Sequence, residues 1–378
     1  MGIVQAVAAA EPLELSRLNG AKIGYSAHRV QLKDIHTLIT GDTATPHAGD
    51  LVLARVGRIG QHRRIELRNG RRATLFEGDE VLLCYGNRYA PDQFEAYVPT
   101  DLGPCHMAAA GGIAGRVVAA HARMKAPTEV TPLGLLGDRH GKVINLSRYA
   151  LKPRSSHLST PIFAVVGTSM NAGKTTAASF LVRGLAQAGY RVGAAKVTGT
   201  GAGGDLWHMT DAGAIMVLDF TYAGHATTYL ADDAALQEIF LTLTGELDAG
   251  GADAIVIEIA DGLNQTETAR LVQSPLFRER VSGVVFAAAD AMGAKAGYDW
   301  LVRHQLPVAA VSGLMTASPL ATREAAQTVA VPVLGLDDLA SPERIEQVFR
   351  PLMDRLRARR PLARPVEALA DATPELYA

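Results

Sequence analysis

The sequence predicts an α/β protein in which a parallel sheet carries helices on both faces and is preceded by a β-rich unit. Three observations predict it. After about residue 160, continuous apolar runs of strand length alternate with helical stretches, the pattern of strands covered on both faces. Before about residue 150 the runs are shorter, rich in β-formers and punctuated by turn residues. The 378 residues, 48% hydrophobic, can also bury large cores, and such a length accommodates two or three domains.

Residues 1–150 supply the β-rich runs "GDLVLARVGRIG", "RRIELRNGRRATLFEGDEVLLCYG" and "FEAYVP". Asn69-Gly70 is a strong hairpin signal, because both residues tolerate the positive φ of a tight turn. A small barrel or sandwich, used to select a substrate, is expected. The Gly/Ala-rich "AAAGGIAGRVVAAHARM" follows, and the polar connector "LKPRSSHLSTP" leads to Pro161. The second region, residues 161–340, starts with the strand "IFAVVGT". Its first helix is "TTAASFLVRGLAQAGY", with Phe180, Leu181 and Leu185 on one face, and the strand "RVGAAKV" comes next. "DAIVIEIADG", "VSGVVFAAAD", "LPVAAVSG" and "VPVLGL" are further strand candidates. An amphipathic helix at about 341–358 and a Pro-rich tail make up residues 341–378.

Charge and cysteine content narrow the function. The 37 basic and 38 acidic side chains nearly cancel, so the excess positive charge of nucleic-acid or anionic-membrane binders is missing. The expected partners are a small-molecule carboxylate or amine and a second copy of the chain in a homodimer, with neither nucleic acid nor membrane. Cys84 and Cys105 cannot build a disulfide framework, the N-terminus has no basic n-region, and no apolar run approaches a membrane span. A cytoplasmic location is expected. The histidines lack metal-ligand spacing, so no structural zinc is expected. The basic stretch "RIGQHRRIELRNGRR" reads as a solvated hairpin face, with an anionic substrate or RNA as its alternative. The segment Cys84 to Glu95, "CYGNRYAPDQFE", could overhang a neighbouring site or form a rigid loop.

The chemistry centres on "VVGTSMNAGKTT", residues 165–176, which leaves a buried strand and enters a helix. It departs from G-x-x-x-x-G-K-[ST] in one respect: five residues, not four, separate Gly167 from Gly173. In that setting backbone N–H groups and the positive end of the helix converge on a polyphosphate. Gly173 lets the backbone approach, Lys174 can reach the β- and γ-phosphates, and Thr175 can ligate Mg²⁺.

With this spacing the loop Gly167-Thr168-Ser169-Met170-Asn171-Ala172-Gly173-Lys174-Thr175 resembles that of the dethiobiotin synthetases, and more broadly the ATP-dependent amide synthetases of cobalamin biosynthesis. The resemblance covers about residues 161–340. It places Lys196, in "AGYRVGAAKVTGTG", on the family's second-strand lysine, Asp211, in "MTDAGA", on an acidic metal ligand, and Glu258 on the carboxylate of V-E-G-A-G-G. The chain departs from the family at Ile259-Ala260-Asp261-Gly262, and in "VSGLM" Gly313 stands near the position where the family places an adenine-contacting asparagine. The resemblance implies an ATP- and Mg²⁺-dependent ligase with the nucleotide on residues 167–176, including Thr176.

The residues are sufficient equipment for phosphoryl transfer, which needs positioning and charge neutralisation more than covalent help. Lys174, Lys196 and Glu258 are the expected catalytic residues, and Thr175, Asp211 and Glu258 the expected metal ligands. Lys196 could hold an anionic acceptor or the γ-phosphate. Asp211 could instead cap a helix, and Asp205 is its rival for the metal. Asp261 could bind an amine or start a turn. An acid closing "AIVIE" is costly to bury without a cation or hydrogen-bond partners, which singles out Glu258. Three classes fit: a ligase passing through a mixed anhydride, a small-molecule kinase, and a nucleotide switch or metallochaperone. No Asn-Lys-x-Asp guanine motif occurs.

Overall fold

The computed structural model describes residues 9–41, 43–154 and 160–359; part of the connector and the Pro-rich tail lie outside the described residues. The N-terminal strands are β1 (Ala9–Pro12), β2 (Lys22–Ile23), β3 (Thr37–Thr40), β4 (Leu51–Val56), β5 (Arg64–Glu66), β6 (Arg72–Thr74), β7 (Glu80–Tyr85), β8 (Phe94–Tyr97), β9 (Cys105–Ala109), β10 (Ile113–Ala120) and β11 (Thr128–Gly137), with α1 (Leu15–Gly20) between the first two. Pairing runs β11 to β4, β7, β10 and β9, and β9 pairs back onto β11. The ring closes into a small barrel. Alternation along the strands explains it: Val52, Ala54, Val81, Leu83, Tyr85, Cys105 and Met107 pack into one core, while their neighbours Leu51, Leu53, Leu82, Cys84 and Ala108 pack into another. β5 and β6 form a separate two-stranded ribbon around the expected Asn69-Gly70 turn, where Gly70 has φ 80°.

The second unit holds β12 (Ile162–Gly167), β13 (Val192–Lys196), β14 (Met216–Asp219), β15 (Ala254–Glu258), β16 (Val281–Ala287) and β17 (Val308–Ser312). They form a six-stranded parallel sheet in the order β14-β13-β15-β12-β16-β17. Its helices are α2 (Lys174–Gln187), α3 (Gly204–Asp211), α4 (Asp233–Ala249), α5 (Thr266–Gln273), α6 (Pro275–Arg280), α7 (Ala291–Arg303), α8 (Pro319–Ala326), α9 (Leu336–Ala340), α10 (Pro342–Arg344) and α11 (Arg350–Arg359). β12 shows why two helical layers form. Ile162, Ala164 and Val166 join the core under Ile239, Phe240 and Leu243 of α4, whereas Phe163 and Val165 join the core under Leu181 and Leu185 of α2. Every second side chain faces each layer, so the whole run is apolar.

Three expectations change. "VPVLGL" supplies one bridge, Val311 to Val333, rather than a strand, because Pro332 has no N–H to donate to a ladder. β14 was not anticipated; its short "MVLD" run is an edge strand. The helix expected at 341–358 is divided into α10, a π-helical turn at Ile345–Phe349 and α11. It is also integral to the sheet unit, since Ile345, Phe349 and Met353 lie in the core beside α2.

The barrel and the sheet pack against each other. Tyr25 donates to Asp219 Oδ2 at 2.9 Å in a buried contact, and Tyr25 itself belongs to the core beneath α2 and α3. Backbone also meets backbone: a Cβ on Gly111 would lie 1.8 Å from the Gly201 carbonyl oxygen, so only glycine fits there. Among the described residues no helix is long and apolar enough to cross a membrane.

Candidate active site

The loop after β12 is shaped by two backbone positions. Asn171 adopts φ 64°, a conformation that asparagine tolerates better than most residues, and Gly173, the N-cap of α2, has φ 92°. A Cβ on Gly173 would also crowd Leu314 N at 3.0 Å. Gly167 ends β12, Thr168 N donates to the Ala287 carbonyl at 3.0 Å, and buried Ala172 accepts from Leu314 N at 3.0 Å. Lys174 is 5% exposed and donates from Nζ to the Ser169 carbonyl at 2.7 Å, folded back over its own loop. Burial pushes its pKa down, opposed by Glu258 and Asp261.

Parallel registry brings the remaining groups to one edge of the sheet. Val165 of β12 is level with Glu258 of β15, which is level with Lys196 of β13. The C-terminal ends of adjacent strands thus deliver a carboxylate and an ammonium beside the loop, where open α/β sheets bind ligands. α2 and α3 then point their first turns at each other. Thr175 Oγ1 donates to Glu258 Oε1 at 3.0 Å and lies 3.2 Å from Asp205 Oδ1. Lys196 Nζ donates to Asp205 Oδ2 in an ion pair whose side chains are 13% and 24% exposed.

The structure brings Lys174, Thr175, Lys196 and Glu258 together but leaves out Asp211. That residue is exposed at the far end of α3, six positions from Asp205, about 9 Å along the axis and on a different face. Asp205, in the first turn, stands where Asp211 was expected.

Charge in this cluster is unevenly balanced. Burial opposes the ammonium of Lys196, but Asp205 and Glu258 beside it raise its pKa. Burial likewise opposes ionisation of Asp205, and Lys196 overcomes it, so Asp205 titrates below the usual carboxylate range. Glu258 moves the other way: burial raises its pKa, and the nearby Asp205 adds to the rise. Its Oε2 is buried with no hydrogen-bond partner among the described residues. An orphaned buried carboxylate oxygen next to a second carboxylate and a threonine hydroxyl is a site with unmet demand for a cation. The donors are all hard oxygens, which suits Mg²⁺ completed by phosphate oxygens and water. Among the described residues no group of three or more His, Cys, Asp or Glu side chains gathers as a metal site.

Two cavities flank the loop. One, of about 490 Å³, is lined by Gly173, Thr176, Phe180, Gly313, Leu314 and Asp337 among others, beyond the N-terminus of α2. The other, of about 650 Å³, lies between the barrel and the sheet. Its floor includes Met170, Lys196, Asp205 and Asp261, and its opposite wall includes Arg63, Arg64, Arg72 and Arg88. The basic stretch is therefore not only a solvated face: packing of the β5–β6 ribbon against α3 turns it toward the site, with Glu66 Oε2 accepting from Gly203 N at 3.2 Å. The Cys84–Glu95 segment also overhangs the loop, since Asn171 Nδ2 donates to Asp92 Oδ2 at 2.9 Å. Local sequence could not show either contact. Asp261 is largely buried, and that burial raises its pKa, opposed by Lys174, Lys196 and Arg88.

No protein-family profile and no curated protein matches the chain. Solved structures with a similar course include the signal recognition particle receptor FtsY of Elizabethkingia anophelis, at 15% identity and TM-score 0.34 over 50% of this chain and 60% of that one. The 54 kDa signal recognition particle protein of Aeropyrum pernix K1, in complex with GDP, matches at 17% and 0.35 over 56% and 53%. A nucleotide-binding protein of Archaeoglobus fulgidus, in complex with ADP, matches at 14% and 0.34 over 49% and 87%. The chain spans little more than half the length of the first two. The loop of phosphate-binding pattern and the parallel sheet described above stand on their own geometry as a P-loop-type α/β fold.

Proposed function

We propose that the protein is an ATP-dependent C–N ligase that phosphorylates a carboxylate or carbamate and lets an amine displace phosphate. One observation carries the reading: Lys196, Asp205 and the loop residue Met170 form the floor of the cavity whose other wall is the barrel, so a nucleotide on the loop and an acceptor in the cavity share one junction. ATP is chosen over GTP because the chain has no Asn-Lys-x-Asp motif.

The loop N–H groups and the N-terminus of α2 bind the β- and γ-phosphates, and Lys174 swings from the Ser169 carbonyl to the bridging oxygen. Thr175, Asp205 and Glu258 would hold Mg²⁺, which would supply neutralisation of the charge spreading over the transferred group. Lys196 stays protonated through Asp205 and orients the acceptor oxygen toward the γ-phosphorus. A bond forms between that oxygen and phosphorus while the β,γ-bridging bond breaks and ADP leaves. The amine nitrogen then attacks the acyl carbon, the carbon–oxygen bond breaks, and phosphate departs with that oxygen. Asp261, whose raised pKa suits it as a base, accepts the proton released by the amine.

The test is isotopic. With an ¹⁸O-labelled carboxylate, or labelled bicarbonate for a carbamate, the released phosphate should carry one labelled oxygen. Unlabelled phosphate during genuine product formation indicates attack by water, and phosphate retained on the product establishes a kinase.

A further inference from the structure

We infer that the barrel wall of the cavity binds a second anionic group of the acceptor, so that the substrate is a small dianion, either a dicarboxylate or a phosphorylated carboxylate, rather than a monocarboxylate. The inference rests on the proposed reaction for the identity of the first carboxylate; the second subsite stands on the geometry of the ribbon.

Registry on the β5–β6 ribbon places Arg64, Glu66 and Arg72 on one face: residues two apart share a face, and Glu66 is level with Arg72 across the ribbon. That face lines the cavity, with Arg63 immediately before it and Arg88 beside it. Five cationic side chains, including Lys196, thus meet three carboxylates, Glu66, Asp205 and Asp261. His62 adds no charge, because burial and the neighbouring Arg88 push its pKa down to about 4.

Two of the three carboxylates are already engaged, and Asp261 is the third. Asp205 pairs with Lys196, and Glu66 accepts from the backbone at the start of α3. Arg88 is buried, and its guanidinium donates to the Ala108 carbonyl and, at 2.8 Å, to Gln93 Oε1. Arg63, Arg64 and Arg72 have no carboxylate within ion-pair distance among the described residues, although Arg72 is close enough to Glu66 to lower its pKa. Elsewhere on the same unit Arg17, Arg58, Arg116 and Arg148 each pair with a carboxylate on the surface. Cations gathered without counter-charge in a concave site raise the local concentration of anions, and a guanidinium fork matches carboxylate or phosphate oxygens two at a time. A cavity of about 650 Å³ is of the size that encloses a small molecule. The carboxylate to be activated lies at the Lys196 end, and the second anionic group lies at Arg63, Arg64 and Arg72.

The full chain, loaded with Mg²⁺ and the non-hydrolysable analogue AMP-PNP, is titrated calorimetrically with α,ω-dicarboxylates from malonate to pimelate. Monocarboxylates of equal carbon number and the matching phosphonocarboxylates are titrated in parallel. At least one dianion should bind ten-fold or more tightly than its monocarboxylate. Arg64→Ala and Arg72→Ala should each erase that preference while leaving AMP-PNP affinity within two-fold, which also shows that the variants fold. Arg64→Lys should recover part of it. Preference for the dicarboxylate or the phosphonate identifies the second group. Equal binding of dianions and monocarboxylates, no binding of either dianion series, or a preference indifferent to both substitutions overturns the inference. An arginine-dependent dianion preference without ¹⁸O transfer retains the subsite and removes the ligase, whereas labelled phosphate from monocarboxylates with no dianion preference does the reverse.

Discussion

The two walls of the central cavity carry charge in different ways. On the sheet wall the ionic groups are linked to one another, Lys196 with Asp205 and Thr175 bridging Asp205 and Glu258, all fixed by the registry of parallel strands and the facing first turns of α2 and α3, and only Glu258 Oε2 is left without a partner among the described residues of this cluster. On the barrel wall the arginines lie on a two-stranded ribbon and are unpaired. A preorganised wall does chemistry, because its dipoles need no rearrangement as charge develops, and an unbalanced wall recruits a counter-ion. The contrast supports the proposal that nucleotide handling and acceptor choice reside in separate units joined at one cavity.

The largest effect should come from the sheet wall. Lys174→Ala should abolish stabilisation by ATP·Mg²⁺ in a thermal-shift assay and lower turnover on the order of 10³-fold, since the loop then has no charge facing the β- and γ-phosphates. Equal ATP stabilisation of the variant, or a response to GTP alone, would break the assignment of the loop or of the base. Glu258→Gln should slow transfer about 10²- to 10³-fold while nucleotide affinity changes only a few-fold, because its work is at the metal as charge develops. Parallel losses in binding and turnover would contradict that.

Asp261→Asn sharpens the comparison at the cavity floor. Below its folded pKa Asp261 is protonated and cannot accept a proton, so turnover should rise with pH through a value above the ordinary 3.8. The variant should lose that acid limb in a kcat profile and retain roughly 1% of turnover. An unchanged limb reassigns the base. Asp205→Asn should raise the Mg²⁺ concentration needed for half-maximal turnover by about 10- to 100-fold, whereas Asp211→Asn should leave a Mg²⁺ titration unchanged. The reverse ranking would restore the residue that the sequence favoured.

The smallest effect on activity belongs to the joint between the walls. Tyr25→Phe leaves Asp219 Oδ2 without its phenolic donor in a buried place, which should cost about 2 kcal/mol in urea unfolding. Turnover should fall only modestly. Full stability in the variant would mean that this hydrogen bond adds nothing net to the joint.

What could be read without coordinates was local. The loop's residues are consecutive, so their spacing survives in one dimension, and buried parallel strands announce themselves as unbroken apolar runs. Glu258 was legible because an acid ending "AIVIE" needs a partner wherever the strand goes. Asp205 and Asp211 share one short helix, and only the direction of α3 against α2 chose between them. The arginines are equally plain in sequence, yet alternation on a hairpin does not say which face meets water. Likewise the β-rich runs were compatible with a barrel or a sandwich, and closure through β9 onto β11 decided it. The sequence by itself determined the loop of the phosphate-binding pattern and the strands flanking it, because motif spacing and hydrophobic period are properties of neighbouring residues. Tertiary structure alone decided which acid meets the threonine, that the exposed arginines of the ribbon line the cavity and that Asp92 reaches Asn171, because those contacts join residues whose separation in the chain carries no information about their distance in space.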